Sequence, residues 1–112
     1  MSGPRLSRKL VLEEPQRVPD GAGGFALTWV AKGTLWAAVE SGAGRERAGE
    51  SVTLSTVSYR ITVRGAPQGA PSRPRPEQRF RDGGRIFVIA AVTEADGDGR
   101  YLTCHATEEV LS

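Results

Sequence analysis

Residues 56–64 in the middle of the chain (TVSYRITVR) alternate between polar and apolar side chains. A period of two predicts a β-strand with one buried and one solvent-facing side, and β-branched and aromatic residues suit such a surface. The apolar members are Val57, Tyr59, Ile61 and Val63, and the polar members are Ser58, Arg60, Thr62 and Arg64. Because a strand of this kind must pair with others, the stretch predicts a sheet in which later strands return beside it.

The composition favours short elements joined by many turns over a helical bundle. The chain has 112 residues with 14 glycines and 7 prolines, which predicts one domain over residues 1–112 with a modest core. We predict a flexible N-terminal segment at residues 1–7 and extended loops at 41–50 and 65–78. No apolar run approaches the roughly 18 residues of a membrane helix, and the N-terminus lacks the apolar centre of a signal peptide. We therefore expect a soluble protein that is made in the cytoplasm and contacts no membrane.

Apolar and alternating runs, separated by glycine-rich and proline-rich turns, predict six or seven short strands. Their number and spacing favour a mainly β fold, a small antiparallel barrel or sandwich. The predicted strands are residues 9–14, 25–30, 34–40, 56–64, 78–81, 85–92 and 101–107.

Several local expectations follow from turn chemistry and residue pattern. Pro15 should end the first strand or place it at an edge, and Lys32-Gly33 should be the turn of a hairpin carrying one tryptophan on each strand. Asp82-Gly83 predicts a second hairpin, whose apolar strand 86–92 should be covered on both faces. Residues 65–76 contain four prolines, which favour extended polyproline geometry. Residues 51–56 are compatible with a short helix or with the start of the next strand.

Charge is unevenly distributed along the chain. Seven arginines lie between Arg60 and Arg85 against two acidic residues, whereas five acidic residues lie from Glu94 to the end against one arginine. This asymmetry suits head-to-tail contacts between copies or docking to charged partners. An ordinary solvated surface remains an equal alternative.

The residue pattern contains no reaction centre. His105 and Cys104 are adjacent and should point to opposite faces of a strand, which excludes a shared metal site or a catalytic pair. The Asp96–Gly99 turn lacks the ligands of a calcium loop, and the glycines at 21–24 precede no phosphate-binding lysine. We therefore expect no enzyme activity, no cofactor and no metal.

Trp29, Trp36 and Tyr59 leave a nucleic-acid alternative open. Exposed aromatic rings beside arginines would suit stacking of single-stranded bases in an oligonucleotide-binding barrel. The aromatic content is only 6%, and the domain has few other large residues for its interior. We therefore favour the interpretation that these aromatics belong to the core.

Four motifs in order resemble the phage head–tail joining proteins, also called head-closure or stopper proteins. They span about residues 8–109 and lie in the segments Asp20–Glu40, Tyr59–Arg64, Gly84–Ile89 and Tyr101–Cys104. The chain departs from the family pattern in the glycine-rich segment 41–50 and in the Pro- and Arg-rich insertion before Phe80. The same component exists in gene transfer agents, which are phage-like particles.

The resemblance implies a structural virion protein at the head–tail interface, or neck, of a particle made in a bacterium. It implies a homo-oligomeric ring of six copies, with a portal or adaptor protein above and a tail terminator or tail tube protein below. Such a ring helps to retain DNA, which lies in its channel, and provides the platform for the tail. A tail terminator or another ring component of the neck and tail is the alternative.

Arginines outside the expected core are the candidate protein-interface residues. A heterologous ring contact joins two different patches, and arginine forms bidentate pairs that lysine does not. The candidates are Arg45, Arg47, Arg73, Arg75, Arg79 and Arg81. We expect their neutralisation to impair assembly and to leave the monomer folded.

Overall fold

The computed structural model describes residues 3–42 and 57–109, and this part of the chain forms six β-strands. All neighbouring strands are antiparallel and close into a barrel in the order β1-β2-β3-β6-β5-β4. The strands are β1 (Arg8–Pro19), β2 (Phe25–Ser41), β3 (Ser58–Arg64), β4 (Arg79–Asp82), β5 (Arg85–Glu94) and β6 (Tyr101–Glu109). The prediction of a mainly β, antiparallel barrel is confirmed.

The alternating stretch at the centre of the chain forms β3 and supplies part of the core. Ile61 and Val63 are fully buried, and Tyr59 packs against the core from its margin. β3 pairs with β2 on one side and with β6 on the other, so the expectation that a later strand returns beside it is confirmed. The buried apolar residues are Leu10, Leu12, Ala37, Ile61, Val63, Phe80, Phe87, Ile89, Leu102, Cys104 and Ala106.

The predicted hairpin of residues 25–30 and 34–40 is wrong. These residues form one strand of 17 residues, β2, which pairs along its length with β1. The register of this pairing shifts by one residue. Leu12 faces Gly33 whereas Glu13 faces Ala31, so Lys32 is the additional residue of a β-bulge. Gly33 has φ 146°, a conformation that favours glycine. The Lys32-Gly33 pair therefore bends a continuous strand instead of reversing it.

Beyond this bulge, β1 and β2 extend from the barrel as a two-stranded ribbon, residues 14–30, which we call the hairpin arm. β4 pairs only with Val11–Glu13 of β1, and β3 pairs only with the last residues of β2. Both outer edges of the hairpin arm are therefore unpaired by the strands of the described residues. Pro15 does not end β1; it lies at an edge in the hairpin arm, the other of the two expectations for it, where none of these strands needs its missing N–H.

The predicted turn at residues 19–24 forms the tip of the hairpin arm. Asp20 Oδ1 accepts hydrogen bonds from the backbone N–H groups of Ala22 and Gly24, at 2.8 and 3.0 Å. A backbone bond from Asp20 N to Gly24 O closes the turn. The carboxylate thus stabilises the tip by the local bonding for which aspartate is favoured in turns.

The second predicted hairpin is confirmed, and one expectation for its outgoing strand is wrong. Asp82 pairs with Arg85 across the two-residue turn, in which Gly83 has φ 60°. β5 is not covered on both faces, because Ala90 and Ala91 are exposed. The final strand β6 buries Leu102, Cys104 and Ala106, as its alternation predicts.

The proline-rich segment between β3 and β4 folds as successive turns, so the prediction of extended polyproline geometry is wrong. Backbone bonds from Ala70 N to Pro67 O and from Arg73 N to Ala70 O close two of these turns. The segment is anchored at its end by buried Pro74 and Gln78. It begins where a Cβ on Gly65 would lie 2.1 Å from the carbonyl oxygen of Gly99, so only glycine fits there without a shift of the backbone.

Residues 43–56 lie outside the described part of the chain. The predictions for most of loop 41–50 and for the ambiguous segment 51–56 fall there. In the ranges that are described, no helix is long and apolar enough to cross a membrane.

Candidate docking surfaces

Two arginines of β4 converge on one buried carboxylate of β1. Arg79 Nε donates to Glu13 Oε1 at 2.7 Å, and Arg81 Nε donates to Glu13 Oε2 at 2.8 Å. Phe80 points into the core between them, so the alternation of β4 places both guanidinium groups on the opposite face. The Arg79 guanidinium also lies 4.0 Å from the centre of the Trp29 ring. We call this group, Glu13 with Arg79 and Arg81, the glutamate–arginine cluster.

The electrostatics of the glutamate–arginine cluster favour the ionised carboxylate. Burial raises the pKa of Glu13, but hydrogen bonds and charge from Arg81 and Arg79 outweigh it and hold that pKa below its usual range. Glu13 is 6% exposed, and the Arg79 side chain is 15% exposed. Since a nearly buried charge needs a partner, the cluster contributes to the fold where β1 meets β4.

A second set of polar contacts joins the proline-rich segment to the base of the hairpin arm. Arg75 donates to Glu14 Oε1 at 2.5 Å, Gln78 donates to the same oxygen at 3.3 Å, and Lys32 Nζ lies 3.6 Å from Glu14 Oε2. Arg73 donates to the carbonyl oxygen of Ala66 at 2.8 Å, within the segment itself. These contacts fix the path of the segment beside β1.

The candidate interface arginines therefore have partners within the chain. Arg79 and Arg81 meet at Glu13, Arg75 meets Glu14, and Arg73 bonds to backbone. The Arg75 side chain is nevertheless 63% exposed. Arg45 and Arg47 lie outside the described residues.

Folding also reduces the charge asymmetry that is present along the sequence. Arg85 forms a bidentate pair with Glu108 at 2.8 and 3.0 Å and donates to the Tyr59 hydroxyl at 3.1 Å. The hydrogen bond from Arg85 lowers the pKa of Glu108 and, reciprocally, raises that of Arg85. A basic and an acidic residue that are 23 positions apart in sequence thus neutralise each other between the neighbouring strands β5 and β6.

The hairpin arm carries the two large apolar side chains with the highest exposed fractions among the described residues. Phe25 is 65% exposed and Leu27 is 58% exposed, and they lie on the same face of β2. Arg17, which pairs with Leu27 across the ribbon, has its guanidinium 5.7 Å from the centre of the Phe25 ring. An exposed apolar face of this kind is a candidate contact surface.

A cleft of about 540 Å³ opens beside residues 34–36 in the middle of β2, on the barrel side of the bulge, and we call it the barrel-end cleft. It is lined by Leu6, Thr34, Leu35, Trp36 and Arg64. Trp36 is 55% exposed, with the Lys9 ammonium 5.9 Å from its ring centre. The barrel-end cleft thus combines an aromatic wall with positive charge.

The three aromatic residues of the nucleic-acid alternative occupy different environments. Tyr59 packs edge-to-face on Phe87, with 5.1 Å between the ring centres. Trp29 is covered by the Arg79 guanidinium, whereas Trp36 is exposed. The expectation of core packing therefore holds for Tyr59 and is wrong for Trp29 and Trp36, which do not pack on the core.

Cys104 and His105 occupy the opposite faces that their adjacency predicts. Burial raises the pKa of the Cys104 thiol to about 12, which leaves it inert at neutral pH. His105 is exposed, with Nε2 3.3 Å from Thr93 Oγ1. Within residues 3–42 and 57–109, no cluster of three or more acidic, His or Cys side chains is placed to hold a metal ion.

Sequence reasoning missed Glu13, the hairpin arm and the barrel-end cleft. Glu13 lies at the end of an otherwise apolar run, Leu10 to Leu12, and this position was the available signal for a buried charge. The hairpin arm gave no comparable signal, because Pro15 and Gly33 have the chemistry of strand ends. The barrel-end cleft is formed by residues that are distant in sequence.

Comparison with known proteins supplies the family. The family of phage head completion proteins matches residues 1–109. A chain in the solved virion of a native gene transfer agent particle is 62% identical, with a TM-score of 0.82 over 98% of this chain and 100% of that chain. No curated protein matches this chain.

The match covers the barrel, the hairpin arm and the proline-rich segment together. It agrees with the resemblance that the four ordered motifs carry, and the family consists of structural virion components without enzymatic activity. The chain therefore belongs to the phage head completion protein family.

Proposed function

We propose that this protein closes the head of a phage-like particle, as a ring between the portal or adaptor protein and the tail. In this role a ring of six copies helps to retain packaged DNA, which lies in its channel, and presents the surface on which a tail terminator or tail tube protein docks. The observation that carries the proposal is the match to the head completion family over nearly the whole chain. The similarity to a component of a gene transfer agent virion supports a particle of that kind.

The geometry supports a scaffold role. The barrel has a closed sheet around a buried apolar core, while apolar side chains are exposed on the hairpin arm. A rigid body with an unsatisfied projecting surface suits a component that assembles with its neighbours. Its exposed surface includes both apolar and basic groups, which offers contacts to different partners.

Particles from a strain that lacks this protein provide the test. We expect negative-stain microscopy to show heads that are leaky or only partly filled, separated from tails of normal length. Complementation with the wild-type gene should restore joined particles. Normal joined particles from the deletion strain would overturn the proposal. Tails of irregular length on closed heads would instead indicate a tail terminator.

We propose in addition that the basic surface around the proline-rich segment contacts a neighbouring subunit, the adaptor or channel DNA. The candidates remain Arg45, Arg47, Arg73, Arg75, Arg79 and Arg81. Arg75 is the informative member, because its side chain is 63% exposed and its removal leaves the glutamate–arginine cluster intact.

Arg75→Gln should reduce the yield of joined particles several-fold and leave the melting temperature of the purified protein within a few degrees of wild type. The matched control is Arg60→Gln, because Arg60 is 56% exposed on β3 and loosely paired with Glu40 at 3.7 Å. Particle counts and thermal unfolding are measured on both variants. Equal particle yields from the two variants would remove the basic surface from the proposal.

A further inference from the structure

The hairpin arm and the barrel-end cleft have complementary properties. The hairpin arm presents the exposed side chains of Phe25 and Leu27 on one face of β2, next to a turn that carries the Asp20 carboxylate. The barrel-end cleft is lined by Trp36, which is 55% exposed, and by Arg64. Although the Arg17 guanidinium lies beside Phe25, the apolar side chains and the carboxylate at the tip match a cleft that has an aromatic wall and an arginine.

One molecule cannot bring these two surfaces together. Phe25 and Leu35 lie on the same strand, ten residues apart in sequence, which places them about 30 Å apart at the rise of a β-strand. The bulge at Lys32 bends β2 but does not reverse it. Any contact between the hairpin arm and the barrel-end cleft must therefore join two copies.

The two edges of the hairpin arm that the described strands leave unpaired differ in their capacity to accept another strand. The β1 edge contains Pro15 and Pro19, which lack backbone N–H groups, so this edge is protected against strand addition. The β2 edge from Phe25 to Trp36 contains no proline and ends at the barrel-end cleft. Contacts along the hairpin arm are thus favoured on the β2 side.

We propose that the hairpin arm of one copy docks into the barrel-end cleft of the next copy. Phe25 and Leu27 enter the cleft against Trp36 and Leu35, and Asp20 lies near Arg64. Because the two patches differ, the contact is heterologous and repeats from copy to copy, which closes a ring when the rotation allows it. This inference rests on the proposed ring in the neck and names the surfaces that build it.

Cysteine cross-linking within purified particles tests the contact. Ala22→Cys at the tip and Thr34→Cys at the cleft are exposed positions, and their combination leaves Phe25 and Leu27 unchanged. The native Cys104 is fully buried, so it does not compete for a short bismaleimide reagent. We expect the double variant to give a ladder of covalent dimers, trimers and larger species.

Two controls define the geometry. The double variant with Ala22→Cys and Ala90→Cys should give no ladder. Ala90 is an exposed position of β5. Ala22→Cys alone should give no dimer, since a dimer would show that two tips meet symmetrically. A dimer from Ala22→Cys alone would overturn the inference. A ladder from the Ala90 control, with none from the Thr34 double variant, would do so as well.

Serine substitutions test the apolar contribution. Phe25→Ser with Leu27→Ser, placed in the cross-linking double variant, should abolish the ladder. Ala26→Ser lies on the opposite face of the same strand and should leave the ladder unchanged. An unchanged ladder without Phe25 and Leu27 would contradict docking through the apolar face.

The inference and the proposed function can fail separately. Particles that contain the cysteine variant but form no ladder would refute docking and leave head closure in place. If the deletion strain makes normal joined particles, head closure fails whatever the cross-linking result. The solution state of the isolated chain decides neither question, because ring formation on a neck can require the adjoining proteins.

Discussion

Replacing Phe87 by alanine should lower the free energy of unfolding by about 3–5 kcal/mol, the usual cost of deleting a buried aromatic ring. Phe87 is fully buried, faces Phe80 across the β4–β5 pair, and contacts Tyr59 edge-to-face. The cavity would lie where three strands meet, β4, β5 and β6, so little relaxation can fill it. Denaturant unfolding followed by far-UV circular dichroism measures the loss.

Phe25→Ala is the matched control, because the same ring is removed from a site that is 65% exposed. Its effect on stability should stay within about 0.5 kcal/mol, as for most surface substitutions. If Phe87→Ala lowered the free energy of unfolding no more than Phe25→Ala does, Phe87 would not be part of a packed core. The comparison also separates folding from assembly, because the exposed ring is assigned to a contact between copies.

Glu13→Gln should destabilise the protein by about 2–4 kcal/mol. Loss of one partner of a buried ion pair costs about 3–5 kcal/mol, and the expected value is lower because the Arg81 side chain is 42% exposed. The substitution keeps the size of the side chain and leaves the Arg79 guanidinium without its carboxylate. The control is Glu40→Gln, where both side chains of the ion pair with Arg60 are more than half exposed, and where we expect a change below about 1 kcal/mol.

The carboxylate of Glu13 should make the protein less stable as the pH falls. The pKa of Glu13 in the folded state lies below its ordinary value of 4.5, so the unfolded chain binds the proton more readily. The contribution of Glu13 is therefore fully present above about pH 5 and is lost as the pH falls through the folded-state pKa. Glu13→Gln should flatten the decline that the wild-type protein shows in unfolding experiments below pH 5. Parallel acid profiles for the two proteins would contradict this role for the cluster.

The parts of the fold that sequence reasoning predicted are those set by short-range pattern. The alternation around Ile61, the turn at Gly83 and the inward side of β6 each depend on a few consecutive residues. β2 was misread because Lys32-Gly33 has the chemistry of a hairpin turn, while its actual conformation is set by pairing with β1. The local signal for a bulge and for a turn is the same, and only the partner strand distinguishes them.

The candidate surfaces could not be predicted for the same reason, because the partners of their charged residues are distant in sequence. Arg79 and Glu13 are 66 positions apart, so a sequence window around either residue contains no sign of the other. The arginine-rich segment therefore suggested an uncompensated basic surface, whereas closure of the barrel supplies the carboxylates. Exposure of Phe25 and Leu27 was also hidden, because their alternation is equally typical of a strand that covers a core.

The shortest pairing in the barrel has a consequence for how the protein forms. β4 meets β1 only across Val11–Glu13 and Arg79–Arg81, so this seam joins residues that are 66 to 70 positions apart in sequence. Contacts that enclose so long a loop form slowly, because the loss of chain entropy precedes their gain. Because β6 and β5 lie between β3 and β4 in the barrel, the nascent chain cannot close its barrel until β6 has left the ribosome. Arg79 and Arg81 then pair with Glu13 on the outside of the seam. A subunit is thus committed to its final shape late in synthesis, just before it becomes available to its neighbours.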